Sequence, residues 1–244
     1  MIKEALQYIT GLKEAAMEPI VKEIDGKIYC NKDLIRYDEE KMANVIEAST
    51  LTSLVDYIKT KRSEMKESMI IQVSSPTSAY LFSGLSADRR REHLFQTKAK
   101  VPSFSFDNWY DQERFIIELQ ANFQMNGDLK TILTVVGNVE AKSTANYGDD
   151  GVSQKTTIKQ GIASKTDVIV PNPVSLIPYR TFLEVNQPAS EFVFRIRDNG
   201  GEPYFKLVEA EGGLWRHTAM MSIKEYLEKE LADIPNREKL TIIA

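Results

Sequence analysis

The sequence predicts an α+β fold: antiparallel sheets with long β-hairpins and four to five helices in one domain. Three observations predict it. Apolar spacing switches between a helical period and a period of two along the chain. Turn dipeptides such as Asp25-Gly26 and Asn126-Gly127 fall between periodic segments. Helical and alternating segments come in groups rather than in strict succession, which separates α+β from α/β proteins. The 244 residues are 42% hydrophobic and 27% charged, enough apolar matter for a sizeable core. That composition excludes whole-chain disorder, collagen-like and coiled-coil architectures. The reading is a single domain over 1–244, with an N-terminal helix/hairpin subregion at 1–67 and a protruding hairpin at about 138–165.

The first fifteen residues read as a helix, because Ile2, Leu6, Ile9 and Leu12 recur at three- and four-residue spacing. Pro19 ends that pattern. Ile20 to Ile24 and Lys27 to Cys30 read as short strands joined by Asp25-Gly26, a hairpin turn pair. Leu51, Leu54, Val55 and Ile58 then mark a helix from about Thr50 to Arg62, with Ser49-Thr50 as its N-cap region. From Ser68 the period becomes two. Met69, Ile71 and Val73 alternate with more polar neighbours, and Tyr80 to Phe82 and Leu94 to Val101 continue as strands.

Helical spacing returns at Gln112 to Phe123 and again at Leu129, Ile132, Leu133 and Val136, with Asp128 placed to cap the second helix. Ser143 to Lys165 is the most polar stretch and reads as a long hairpin whose tip lies near Gly148-Asp149-Asp150-Gly151. Pro171, Pro173, Pro178 and Pro188 punctuate extended segments at the face or edge of a sheet. Phe192, Phe194 and Ile196 alternate with Val193, Arg195 and Arg197, and Tyr204 to Val208 forms the returning strand. A helix at about His217 to Leu231 follows Gly212-Gly213, and Thr241 to Ile243 reads as a closing edge strand. No internal repeat or low-complexity tract is visible.

Lysine and arginine number 31 against 35 acidic residues, a net charge of −4, which argues against a broad cationic DNA-binding surface. No apolar run is long enough to span a bilayer, and the first residues lack a signal-peptide core. One cysteine, Cys30, excludes an intramolecular disulfide and fits a cytoplasmic protein; it reads as a small buried hydrophobe.

The motifs that carry covalent chemistry are missing. Tyr147-Gly148-Asp149-Asp150 spells the YGDD of a polymerase palm, but its flanks are polar and loop-like. Two-metal catalysis also needs a third carboxylate on a neighbouring strand. One Cys and two His, His93 and His217, make no zinc-ligand spacing. No G-x-S-x-G elbow, P-loop or strand-borne G-x-G-x-x-G is present. The expectation is therefore no catalytic residue, no metal and no cofactor.

Binding residues are easier to nominate. Arg89, Arg90 and Arg91 stand in a row between Asp88 and Glu92, where they can hold an anion or another chain only if the segment is a turn or helix. Arg195 and Arg197 share one face of a strand. Phe104, Phe106, Trp109, Tyr110, Tyr179, Phe182 and Trp215 lie near polar loops, as does Tyr147, and Arg180 sits between two of them. Rings beside cations are how single-stranded nucleic acid is held, and also how ordinary cores are packed. The candidate binding set is Arg89, Arg90, Arg91, Tyr147, Arg180, Arg195, Arg197 and Trp215.

Several stretches resemble the YfdQ-like family. They are Asp149-Asp150-Gly151-Val152-Ser153-Gln154, Pro171-Asn172-Pro173-Val174, and Pro178-Tyr179-Arg180-Thr181-Phe182-Leu183-Glu184-Val185 with Gln187-Pro188. Phe192-Val193-Phe194-Arg195 and Glu209-Ala210-Glu211-Gly212-Gly213-Leu214-Trp215 complete the resemblance. That family is found in bacteriophages and prophages and has no established function. The resemblance implies a phage-encoded protein in the host bacterial cytoplasm, with no catalytic residues to carry over.

The function expected is a non-enzymatic phage protein that acts by binding as a homo-oligomer. Its target would be a host factor, a host-defence component or a small nucleotide ligand. The alternative is a single-stranded nucleic-acid-binding accessory of replication or recombination. A second alternative is a metal-dependent hydrolase or nuclease built on Asp149 and Asp150.

Overall fold

The structure is a computed structural model; it describes residues 2–17, 19–32, 42–65, 68–87, 89–139, 148–149, 153–160 and 164–244. The fold is α+β, and the described chain divides into two compact units, 1–42 and 43–244.

In the first unit, helix α1 spans Ile2–Met17. Its apolar stripe faces outward, with Ile2 79%, Leu6 60%, Ile9 61% and Leu12 53% exposed. Strands β1 (Val21–Ile24) and β2 (Lys27–Cys30) pair antiparallel, with Ile24 opposite Lys27. The two residues between them, Asp25 and Gly26, have φ of 52° and 72°. That left-handed pair is what a two-residue hairpin requires, because its twist matches that of the strands. Every residue of the two strands is exposed. Cys30 is accordingly exposed, not a buried hydrophobe, because among the described residues no second layer covers this four-residue ribbon within the unit.

The second unit opens with β3 (Ile46–Ala48) and α2 (Leu51–Thr60). Thr50 caps α2 by accepting from the Ser53 amide at 3.2 Å. Strands β4 (Met69–Ser75), β5 (Ser78–Ser83) and β6 (His93–Lys98) form an antiparallel meander. Next come β7 (Tyr110–Asp111), α3 (Gln112–Asn122), β8 (Phe123–Gln124) and α4 (Gly127–Asn138). The cap of α4 is Asn126 rather than Asp128. The Asn126 Oδ1 accepts from the Leu129 amide at 2.8 Å, while the Asp128 carboxylate accepts from the Ser175 amide.

Strands β9 (Gly148–Asp149), β10 (Ser153–Gln160) and β11 (Ser164–Pro171) form a three-stranded ribbon. Gly148 and Asp149 pair with Lys155 and Gln154, so they are strand residues and not the tip of the hairpin. The long hairpin runs over 153–171, later than its polarity suggests. Strands β12 (Val174–Pro178), β13 (Ser190–Asn199) and β14 (Glu202–Glu209) make a second meander, followed by α5 (Trp215–Glu230) and β15 (Leu240–Ile243).

Two five-stranded sheets result. The first has the order β15-β4-β5-β6-β3 and the second β7-β14-β13-β12-β8. Each is a three-stranded antiparallel meander with one short strand added at either side. In the first sheet both added strands run parallel to their neighbours, and in the second both run antiparallel. The two halves thus share a plan that no sequence repeat announces.

Each sheet has its own core. Leu51, Leu54 and Ile58 of α2 and Ile223 and Leu227 of α5 pack with Ile71 and Leu81 of the first sheet. Phe115 and Leu119 of α3 and Leu129, Ile132 and Val136 of α4 pack with Phe192, Phe194, Phe205 and Leu207 of the second. Phe115 stacks on Phe205 and Phe194 at centroid distances of 5.5 and 6.1 Å. Burying each such ring contributes on the order of 2 kcal/mol. Helix α2, grouped by sequence with residues 1–67, belongs to the larger unit because its whole apolar face is spent in the first core.

Candidate functional site

Between β12 and β13 the chain crosses from one core to the other. Arg180 faces the end of the second core, while Phe182 is buried in the first. One side chain holds this crossing in place. Gln187 Oε1 accepts from the amides of Arg180 and Thr181 at 2.8 and 3.1 Å, and its Nε2 donates to the Phe182 carbonyl at 3.0 Å. Thr181 Oγ1 donates to the Pro76 carbonyl in the β4–β5 turn. The Thr52 amide of α2 donates to Glu184. A loop that is buried in the middle must satisfy its polar backbone internally, and these bonds do so.

Arg180 is the centre of the site. Only 7% of it is exposed. Its guanidinium lies 5.0, 5.1 and 4.5 Å from the ring centres of Phe106, Phe192 and Trp215. Guanidinium planes favour such ring faces because they are weakly hydrated and delocalised. Nη1 donates to Ser190 Oγ at 3.2 Å, and Ser190 Oγ in turn donates to Glu211 at 2.5 Å. Nη2 lies 3.0 Å from Glu209 Oε1, an ion pair without the alignment of a hydrogen bond. Arg180 Nε and the Trp215 indole Nε1 are buried with no acceptor among the described residues. Burial pushes the Arg180 pKa down to about 10; Glu209 and Glu211 oppose that shift, and Arg216 adds to it. Arg180 remains a cation at neutral pH.

Of the sequence candidates, the structure brings Arg180 and Trp215 together. Arg195 and Arg197 share the outer face of β13, opposite Lys206 and Tyr204 on β14. Arg197 stands 4.2 Å over the Trp109 ring and 5.8 Å over Tyr204. Lys206 stands 5.0 Å over Trp109 and pairs with Asp107 at 2.6 Å. Arg89, Arg90 and Arg91 lie elsewhere, exposed in the β5–β6 connection. Arg89 adopts a left-handed φ of 60°, and the Arg91 guanidinium donates to the Ser83 carbonyl. Tyr147 and Asp150 lie outside the described residues.

Sequence reasoning missed Glu209, Glu211, Ser190 and Gln187 as parts of the Arg180 site, and Lys206 as a partner of Trp109. The strand register pairs Phe192 with Glu209, which puts that carboxylate on the inner face, but register is not readable from one strand alone. Chemically, the Arg180 cluster joins a loop, a strand end and the start of α5. It presents a buried cation, carboxylates and rings, which suits anchoring rather than bond making. Among the described residues no group of three His, Cys, Asp or Glu side chains converges for a metal ion. Nor is any described helix long and apolar enough to cross a membrane.

Comparison with known proteins gives no match to any family model, curated protein or solved structure.

Proposed function

We propose that this chain is a non-enzymatic phage protein that acts by binding and self-associates through α1. One observation carries the self-association: the apolar stripe Ile2, Leu6, Ile9 and Leu12 is exposed along a helix of 16 residues. Units of about 40 residues rarely bury enough surface to be stable alone and commonly oligomerise. The occupant that fits this stripe is a second copy of itself. Antiparallel pairing of two α1 helices about a twofold axis would bury both stripes and set Glu4 of one copy near Lys13 of the other. The phage setting rests on the YfdQ-like stretches of the sequence. The target in this reading is a host factor, a host-defence component or a small nucleotide ligand.

Light scattering after size-exclusion chromatography tests it. The expected species is a multiple of the 27.7 kDa chain. A Leu6→Glu, Ile9→Glu double variant should run as a monomer. A monomeric parent protein at micromolar concentration would overturn the reading.

A second reading has one observation in its favour: Arg197, Lys206, Trp109 and Tyr204 gather cations and rings on one side of the second sheet. Single-stranded DNA would then bind with strong salt dependence. Removing Arg197 and Trp109 together should abolish that binding, and no binding of an oligothymidylate at low salt would end this reading.

A further inference from the structure

The end of α2, the segment after it and the turn into β15 enclose a cleft of about 350 Å³, lined by Ile58, Arg62, Met65, Met69, Asn236, Lys239 and Leu240. Its volume lies in the range of small-molecule sites. Ile58, Met69 and Leu240 are buried, at 1%, 5% and 6% exposure, and belong to the first core. Arg62 and Lys239 supply two positive charges, and among the described residues no carboxylate lines the cleft. The Arg62 guanidinium is anchored, since its Nη2 donates to the Pro235 carbonyl. One neighbouring acid, Glu64, is engaged elsewhere: it accepts from the Tyr57 hydroxyl and pairs with Lys61. Asn236 turns the chain at the cleft with φ 54°, a left-handed conformation that asparagine tolerates.

We propose that this cleft binds a small organic anion with an apolar body, the carboxylate, phosphate or sulfonate head between Arg62 and Lys239 and the body over Ile58, Met69 and Leu240. A cation pair that no carboxylate of the described residues faces favours an anionic head, because charge-assisted hydrogen bonds are about twice as strong as neutral ones. The apolar surface adds affinity for a hydrocarbon or ring body. The residues that line it include none of the Arg180 cluster and none of the α1 stripe.

The test uses the full chain and the fluorescent probe 1-anilinonaphthalene-8-sulfonate. Lys239→Gln removes an exposed charge and should weaken probe binding about tenfold with an unchanged thermal midpoint. Arg62→Gln combined with it should weaken binding further. Octanoate should displace the probe, and octanol, the same chain without the charge, should not. The Leu6→Glu, Ile9→Glu variant should bind the probe as the parent does. Equal binding by parent and Lys239→Gln, or equal displacement by octanol and octanoate, would overturn the proposal.

Discussion

The guanidinium of Arg180 lies 4.5 Å from the ring centre of Trp215, the first residue of α5. That contact ties the start of a helix of the first core to the strand ends of the second. On the other side, the same guanidinium meets Phe106 and Phe192, which belong to or pack on the second core. The cation therefore fills the seam between two hydrophobic layers, where an aliphatic side chain would leave Glu209 without its ion-pair partner.

Replacing Arg180 with Ala should destabilise the protein by about 3 kcal/mol, because it strands a partly buried carboxylate and opens a cavity among three rings. Arg180→Met, which refills the volume, should cost markedly less. Urea midpoints of the two variants check this, and equal losses would mean that the void matters little.

Alkaline titration should reveal Tyr57. Its hydroxyl is raised from 10.0 to about 12, first by burial and then by its hydrogen bond to Glu64 and the charges of Glu64 and Glu92. A folded-state pKa above the unfolded value gives stability that is complete below about pH 10 and lost as pH climbs through 12. Arg180 has the opposite sign: lowered by burial from its ordinary value to about 10, it relieves a penalty as pH rises above 10. Tyr57→Phe should therefore lose less stability than the parent between pH 10 and 12, and Arg180→Met should lose more. Unfolding free energies measured across that range decide it.

At the start of α4 the roles of two neighbours can be separated. Asn126→Ala removes both the cap to Leu129 and the Nδ2 bond to the Ser175 carbonyl, and should cost about 1 to 2 kcal/mol. Asn126→Asp keeps the acceptor and should recover about half of that. Chemical denaturation of the two variants gives the comparison.

Cys30 should react with a thiol reagent in the native protein at nearly the rate of the denatured chain, since the hairpin leaves it exposed. Strong protection of the native thiol would show that the hairpin is covered in solution.

Much of the fold was legible in the sequence because its signals are local. The i, i+3, i+4, i+7 set of Leu51, Leu54, Val55 and Ile58 needs no partner to declare a helix, and its residues are buried as that pattern requires. Asp25-Gly26 specifies its turn by backbone freedom alone. What failed to show depended on distant residues. Asp128 looked like a cap, but Ser175, 47 positions away, claims its carboxylate. Gly148-Asp149 has turn composition, and only pairing with β10 makes it a strand. In the candidate site, Arg180 and Trp215 could be named singly, whereas Glu209 joins them through a register that sequence does not state. The Arg62–Lys239 cleft was equally silent, since it joins residues at opposite ends of the larger unit.

Strand β15 lies beside β4, more than 160 positions earlier, and everything that builds the second sheet falls between β6 and α5. The second layer is thus nested inside the first, as a clause inside a sentence. The outer half cannot be cut out as a consecutive segment of chain, and it closes only after the inner one has been traversed. Residues 43–244 should therefore melt in one cooperative transition and fold slowly for their size, held back by the entropy of closing so long a loop.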